Sequence, residues 1–200
     1  MNTVERPFAE SCVQNRDPIF AVIAPRLGGC RDLLEIGSGT GQHAVYFAPQ
    51  LSHLNWQTSD RAENHAGIRQ WLAAEGSGNI LAPLCLDVVD DPWPAGPYDA
   101  VFSANTAHIM DEPAVAAMFT GVSRVLRPGG LFLLYGPFAY DGRHTADSNV
   151  RFDAWLKARD PAMGVRDVSW LTGLAAAAGM VLHEDVGMPA DNRTLVWLKS

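Results

Sequence analysis

The sequence has little of what would specify a secreted, metal-bound or membrane-spanning protein. Its 200 residues contain three cysteines, Cys12, Cys30 and Cys85, an odd number without a CxxC pair. This usage argues against a disulfide framework or a metal site and is typical of buried thiols in a reducing compartment. No apolar run approaches the ~18 residues that a membrane helix needs, and the start MNTVERPFAESC lacks the basic and apolar regions of a secretion signal. We therefore expect a cytoplasmic protein without a membrane partner.

Basic residues are scarce relative to acidic ones. The chain has 15 Lys and Arg against 22 Asp and Glu, which gives a formal net charge of −7. Because nucleic-acid binders usually carry a basic face that neutralises phosphates, this balance disfavours a nucleic-acid partner. Small neutral or cationic ligands are compatible with it.

Short β-branched runs alternate with longer helical patterns, which is typical of βαβ units. The first helix is predicted to have Asp17 as its N-cap and Pro18 in its first turn, and to stop at Gly28. The other predicted helices cover 41–50, 62–75, 111–126, 149–159 and 169–178, and the predicted strands lie near 32–36, 54–58, 80–86, 98–103 and 131–135.

The tail predicts two further strands, 181–186 and 194–199, which form an antiparallel hairpin at one edge of the sheet. We therefore expect an α/β fold with a doubly wound, Rossmann-like, seven-stranded mixed sheet and helices on both faces. The chain reads as a single domain over 1–200, in which 1–17 is an N-terminal segment and 138–167 a lid-like insertion.

The strongest chemical signal is the loop that follows the first predicted strand, Glu35-Ile-Gly-Ser-Gly-Thr-Gly41. Gly37, Gly39 and Gly41 allow a sharp turn and the close approach of a nucleotide-like ligand to free N–H groups. Gln42 stands where the dinucleotide pattern GxGxxG has its third glycine, so a pyrophosphate fits less well. A carboxylate at Glu35 is unfavourable beside a pyrophosphate and favourable beside an ammonium group. Alternatively, Glu35 only braces the loop through backbone N–H groups.

These residues resemble motif I of the class I S-adenosylmethionine-dependent methyltransferases. Two further segments, Tyr98–Asn105 and Leu126–Gly130, resemble motif IV and the turn before the fifth strand. The resemblance implies S-adenosyl-L-methionine as the cofactor, with Asp60 on the ribose hydroxyls and Asp87 at the adenine amino group. Taken alone, either aspartate equally suits a helix N-cap or a turn. The full set of cofactor-binding residues implied is Glu35, Gly37, Ser38, Gly39, Gly41, Asp60, Arg61, Asp87, Val88 and Asn105.

A closer resemblance covers the start of the chain and the insertion. Arg6-Pro-Phe8 and Asn15–Ile19, together with Ser148–Asp153 and Gly164–Asp167, are similar to a methyltransferase-like family of uncharacterised function found in bacteria and animals. That family implies the fold and the cofactor but no acceptor.

Asn105 and His108 are the candidate catalytic residues, because they follow the fourth predicted strand, where open α/β sheets bind ligands. Histidine can accept a proton from a hydroxyl, thiol or ammonium group, and Asn105 can orient the cofactor or the acceptor. The alternative for His108 is a packed core histidine with one satisfied nitrogen. The chain lacks the Asn/Asp-Pro-Pro-aromatic sequence of enzymes that methylate exocyclic base or glutamine nitrogens, which argues against those acceptors.

The sequence therefore predicts an S-adenosylmethionine-dependent methyltransferase that acts on a small-molecule acceptor. A non-catalytic cofactor-binding module that acts through a protein partner is compatible with the same motifs. A nicotinamide-dependent oxidoreductase would use the same fold, but Glu35 and Gln42 are both unfavourable for binding the pyrophosphate of its cofactor. The acceptor atom and the oligomeric state are left open.

Overall fold

A computed structural model describes residues 6–200, so residues 1–5 of the predicted N-terminal segment lie outside the described part. The helices are α1 Glu10–Leu27, α2 Gln42–Phe47, α3 His65–Glu75, α4 Glu112–Val125, α5 Asp147–Arg159 and α6 Val168–Ala177. The strands are β1 Asp32–Ile36, β2 Asn55–Asp60, β3 Ile80–Cys85, β4 Tyr98–Ala104, β5 Leu126–Tyr140, β6 Arg143–His144, β7 Arg166–Asp167, β8 Met180–Gly187 and β9 Asn192–Lys199. Short 3-10 turns occupy Ala48–Leu51 and Ala62–Asn64.

The main sheet runs in the order β3-β2-β1-β4-β5-β9-β8. Strands β1 to β5 are parallel to one another, whereas β9 is antiparallel to both β5 and β8. This confirms the expected mixed, doubly wound sheet with a hairpin at one edge. The strand order reverses between β1 and β4, so the carboxyl ends of these strands open a crevice of the kind in which open α/β sheets bind ligands.

Helices cover both faces of the sheet because neighbouring strand residues point to opposite sides. In β1, Leu33 packs into the layer that contains Ile23 of α1 and Phe47 of α2. Its neighbour Leu34 packs into the opposite layer, with Phe119 of α4 among others. The two apolar layers fix the register of β1 and therefore the position of the loop that leaves it.

The predicted start of the first helix is wrong. Helix α1 begins at Glu10, and both Pro18 and Pro25 lie inside it. A proline within a helix removes one backbone hydrogen bond, but contacts outside the helix hold the two turns that precede Pro18. At the start of these turns the Ala9 N–H donates to Gln42 Oε1 over 2.7 Å, and at their end the Tyr46 hydroxyl donates to Asp17.

Strand β5 is longer at both ends than the predicted 131–135. Its register against β4 shifts between Tyr98 and Ala100, where the Pro-Gly-Gly turn forms an irregularity. Its far end pairs with the short strands β6 and β7, which flank α5 in the predicted insertion. The insertion is therefore anchored to the carboxyl end of β5.

None of the helices in residues 6–200 is both long and apolar enough to cross a bilayer.

Candidate active site

The chain leaves β1 through a glycine loop, Gly37–Gly41. At its three glycines the backbone has a conformation that other residues adopt only with strain. Gly37, Gly39 and Gly41 have φ angles of 69°, 60° and 90°, in the left-handed region. A Cβ atom on Gly37 would lie 2.5 Å from Thr106 Cγ2, whereas one on Gly39 would meet nothing within 4 Å. The loop is thus packed on one side against the segment after β4 and presents bare backbone to open space on the other.

Glu35 lies behind this loop and is only 2% exposed. Its Oε2 atom accepts hydrogen bonds from the Ser38 hydroxyl, at 2.8 Å, and from the Trp56 indole, at 3.0 Å. Burial raises the pKa of Glu35 to about 7 because the charged form loses its hydration. Through these contacts Glu35 holds the loop in place from behind. It does so by accepting hydrogen bonds from side chains, and not from backbone N–H groups as in the alternative that the sequence left open.

Asp60, at the end of β2, lies beside the glycine loop. Its Oδ2 atom accepts the Gly39 N–H at 2.7 Å, and its Oδ1 atom accepts the Arg61 N–H at 2.7 Å and the Asn64 amide at 2.8 Å. Each carboxylate oxygen has more than one lone pair, so Asp60 can accept further hydrogen bonds. Arg61 points to solvent, where it pairs with Glu63 at 2.7 Å.

Asp87 follows β3 in a tight turn. Its Oδ1 atom accepts the Val89 N–H at 2.9 Å, which is the turn-forming contact that the sequence left open as an alternative. Within residues 6–200 its Oδ2 atom makes no hydrogen bond. Val88 is buried beside it.

These segments enclose a cavity of about 760 Å³, which we call the loop cavity. It is lined by eight of the predicted cofactor-binding residues, namely Gly37, Ser38, Gly39, Asp60, Arg61, Asp87, Val88 and Asn105. Glu35 and Gly41 are not at its surface; Gly41 instead packs its Cα against helix α3, where a Cβ would lie 3.2 Å from Ile68 Cα. The structure therefore brings most, but not all, of the predicted set around one space.

A second cavity, of about 730 Å³, lies next to the first, and we call it the ring cavity because aromatic side chains line much of it. Helix α5 contributes Phe152 and Trp155, and β5 contributes Tyr135. Four residues line both cavities: Ser11, Asn105, Ile109 and Met163. The two spaces are therefore neighbours that share one boundary.

His108 lines the ring cavity and not the loop cavity. It is 7% exposed, and its ring meets Phe152 edge-on at a centroid distance of 5.2 Å. Burial, with a smaller effect of the positive charge of Arg166, lowers the pKa of His108 to about 4, so the imidazole is neutral at about pH 7. Among the described residues its ring nitrogens have no hydrogen-bond partner, unlike a packed core histidine with one satisfied nitrogen.

The segment that carries His108 is held rigidly by backbone contacts. Arg166 Nε donates to the Ala107 carbonyl at 3.1 Å, and the His108 carbonyl accepts the Gly164 N–H at 3.0 Å. Asn105, at the boundary between the cavities, has a φ of 59°, and its N–H donates to the Tyr135 carbonyl at 2.9 Å. Asparagine adopts this left-handed backbone more readily than other non-glycine residues, so the residue type suits the turn at the boundary.

Sequence reasoning missed two residues, Asn15 of α1 and His43 of α2, whose contact joins the two cavities. His43 lines the loop cavity, and its Nε2 atom lies 2.8 Å from Oδ1 of Asn15, which lines the ring cavity. Burial lowers the pKa of His43 to about 4. Gln42, which stands where the dinucleotide pattern has its third glycine, lines neither cavity; its Oε1 atom accepts the Ala9 N–H and, at 2.9 Å, the Thr40 hydroxyl. No local pattern signals these contacts, since they depend on where α1 packs.

Comparison with known proteins agrees with the fold. The family described as "Protein of unknown function (DUF938)" matches residues 6–199. A sterol 24-C-methyltransferase of Gibberella zeae, ERG6B, is 26% identical over 173 residues, which cover 82% of this chain and 43% of that protein.

Solved methyltransferases superpose on nearly the whole chain. The mitomycin 7-O-methyltransferase MmcR gives a TM-score of 0.83 at 14% identity, over 95% of this chain and 54% of that chain. Human N-acetylserotonin methyltransferase in complex with SAM gives 0.80 at 17% identity, over 96% and 53% of the two chains. The chain thus has the same fold as these methyltransferases, and it spans about half the length of these relatives.

Proposed function

We propose that this chain, which belongs to the DUF938 family, is an S-adenosylmethionine-dependent methyltransferase acting on a small-molecule acceptor. The observation that carries the proposal is the pair of adjoining cavities. One is lined by strand-end carboxylates and bare glycine backbone, and the other by aromatic side chains and a neutral histidine. Two compounds bound in these cavities would meet at their shared boundary, as a transfer reaction requires.

The loop cavity fits S-adenosylmethionine in its residue chemistry. The open face of Gly39 admits a ligand against the backbone, and Asp60 can accept hydrogen bonds from two ribose hydroxyls. Asp87 offers a free carboxylate oxygen for an amino group, and Val88 offers an apolar surface for a base. When bound, the cofactor supplies a methyl group on a positively charged sulfonium, and transfer forms the new methyl bond while the S–CH₃ bond breaks to leave a thioether.

In the ring cavity, His108 is proposed to act on the acceptor. Its neutral imidazole can accept a hydrogen bond from a hydroxyl group and take up the proton as the hydroxyl oxygen becomes methylated. The surrounding apolar side chains would leave a bound hydroxyl few hydrogen-bond partners other than the histidine. Asn105, at the boundary, is proposed to position the two reacting compounds.

Helix α5 belongs to the 138–167 insertion and supplies aromatic residues to the ring cavity, so we propose that this insertion is the acceptor lid of a single catalytic domain. We also propose a cytoplasmic location. All three cysteines are free thiols, and one of them, Cys85, is exposed, which favours a reducing compartment.

Two measurements on the purified chain test the function. Calorimetric titration with S-adenosylhomocysteine is expected to show saturable binding, and incubation with methyl-labelled S-adenosylmethionine and a metabolite extract is expected to give a labelled small molecule. Binding without labelled product across extracts from several sources would replace the proposal with the non-catalytic module that acts through a partner. Binding of reduced nicotinamide dinucleotide but not S-adenosylhomocysteine would replace it with an oxidoreductase.

A further inference from the structure

The ring cavity contains an ordered row of side chains that runs from His108 to a guanidinium group. The His108 ring contacts Phe152 at 5.2 Å between centroids, and Phe152 stacks on Trp155 at 5.8 Å with an interplanar angle of 17°. The Arg159 guanidinium carbon lies 4.7 Å from the Trp155 ring centroid. Phe152, Trp155 and Arg159 follow one another on α5 at helical spacing, so one helix face presents the whole row.

The two ends of this row differ in charge. His108 is neutral at about pH 7. Among the residues of 6–200 that line the ring cavity, Arg159 is the one that carries a full charge at neutral pH. No carboxylate in the described chain lies within 4.0 Å of Arg159, although the protein as a whole is acidic. An unpaired arginine stacked on an aromatic ring is suited to recognise a carboxylate.

The middle of the row is suited to a flat apolar group. The Phe152 and Trp155 rings are nearly parallel, and Trp155 is 51% exposed. Because Phe152 and Arg159 already contact the indole ring, its exposed part is available to a second ring in edge-on contact, and aromatic pairs of this kind are favoured beyond their buried area.

We infer that the acceptor is a planar aromatic hydroxyl compound that carries a carboxylate, with its hydroxyl at His108, its ring along Phe152 and Trp155, and its carboxylate at Arg159. This inference rests on the proposed function for the identity of the reacting group. It adds the chemical class of the acceptor and a specificity residue, Arg159, that plays no part in the transfer itself.

Binding of two matched probes tests the inference: 4-hydroxycinnamate and its primary amide, which has the same shape and no charge. Each is titrated into the full chain with S-adenosylhomocysteine present, and binding is followed by calorimetry. We expect the acid to bind roughly fivefold more tightly than the amide, since an exposed guanidinium contributes modestly, and we expect added salt to reduce the difference. The non-planar 4-hydroxycyclohexanecarboxylate should bind more weakly than 4-hydroxycinnamate.

Arg159→Gln should abolish the preference by weakening binding of the acid alone. Arg151→Gln is the matched control, because Arg151 is an exposed arginine on the same helix that lines neither cavity. Equal binding of acid and amide to the wild type, equal weakening of both by Arg159→Gln, or binding of neither compound would overturn the inference.

The outcomes separate this inference from the proposed function. A chain that methylates neutral compounds without preference for acids would refute the acceptor class and leave the methyltransferase proposal standing. A chain that binds the acid with the expected preference but gives no labelled product, either from this compound or from metabolite extracts, would support an aromatic carboxylate as the ligand of the ring cavity and refute the catalytic proposal.

Discussion

The two cavities are of similar volume but are built in different ways. The loop cavity is formed where parallel strands end, from short runs of consecutive residues such as Gly37–Thr40 and Leu86–Val88. The ring cavity is assembled from one or two residues at a time on α1, the segment after β4, β5, α5 and the turn into β9. A site made of backbone and turn residues leaves a motif in the sequence, whereas one made of scattered side chains is visible only after the chain has folded.

The cavities also differ in chemistry, so substitutions in one should leave the other largely intact. The loop cavity offers hydrogen bonds from fixed backbone and carboxylate groups, while the ring cavity offers apolar rings and a neutral imidazole. The predictions below test whether residues of the loop cavity affect mainly binding of the cofactor and residues of the ring cavity affect mainly reaction of the acceptor.

The largest effect is expected for His108→Ala. Because the imidazole is the proposed proton acceptor, turnover should fall by about 10²–10⁴-fold, while affinity for S-adenosylhomocysteine should stay unchanged. Initial rates with labelled cofactor and calorimetry on the same preparation measure both quantities. His183→Ala, at an exposed position on β8, is the control and should retain full turnover. A large loss of cofactor affinity in His108→Ala would refute the separation.

Asp60→Ala should have the opposite signature. Loss of hydrogen bonds to a charged carboxylate should weaken S-adenosylhomocysteine binding on the order of 100-fold, with binding of an acceptor alone unaffected. Asp90→Ala, which removes an exposed carboxylate near the end of β3, should bind normally. Unchanged affinity in a folded Asp60→Ala variant would exclude Asp60 from the cofactor site.

Gly37→Ala and Gly39→Ala separate steric packing from backbone strain. Both glycines have positive φ, but a Cβ clashes, with Thr106 Cγ2 at 2.5 Å, only at Gly37. Gly37→Ala should lower the free energy of unfolding by about 2–3 kcal/mol and Gly39→Ala by about 1 kcal/mol, as measured by urea denaturation. Adding Thr106→Ser, which removes the clashing methyl group, should restore part of the loss in Gly37→Ala; no restoration would contradict the packing account.

Glu35→Gln tests the brace. A buried carboxyl whose folded pKa is raised from 4.5 to about 7 keeps its proton in the folded state across that window, while the unfolded chain releases it. The stability that this group contributes therefore falls as pH rises through the window. At about pH 8, the free energy of unfolding of Glu35→Gln should exceed that of the wild type by on the order of 1–3 kcal/mol, and the variant should therefore unfold at a higher urea concentration.

The same variant should bind S-adenosylhomocysteine within about threefold of the wild type, since an uncharged amide can still accept the Ser38 and Trp56 hydrogen bonds. A tenfold or greater loss of affinity without a gain in stability would instead assign Glu35 to an ammonium contact, the role that the sequence favoured.

The smallest effect is expected from pH. An ordinary histidine would add an inflection to the turnover profile near pH 6.5, but the lowered pKa of His108 keeps its imidazole neutral down to about pH 4. Turnover should therefore show no loss attributable to His108 between about pH 5.5 and 7.5. An acid limb near pH 6.5 that disappears in His108→Ala would show that burial does not shift this group.

The fold could be predicted from the sequence because local signals and the tertiary structure agree. Strand β1 has the predicted bounds, and α4 starts after Asp111, whose side chain accepts the Ala114 N–H as an N-cap should. The start of α1 could not be predicted, since Asp17-Pro18 is a strong local signal for a helix start, and the contacts that hold the two turns before it come from α2.

In the candidate site, too, the residues with a local sequence signal could be predicted, and those placed by tertiary packing could not. The glycines stand out by their pattern after β1, and Asp60 and Asp87 stand out through the resemblance to class I methyltransferases. Asn15 and Trp155 do not stand out, because a polar or aromatic residue on a helix is usual. Their proximity to His43 and Phe152 depends on how α1 and α5 pack.

The boundary shared by the two cavities makes their ligands thermodynamically linked. Ser11, Asn105, Ile109 and Met163 face both spaces, so a ligand that shifts these side chains in one cavity changes the free energy of binding in the other. Such coupling is reciprocal: if the occupied loop cavity raises acceptor affinity by some factor, the acceptor raises affinity in the loop cavity by the same factor. These four side chains set the size of that factor, whichever compound binds first.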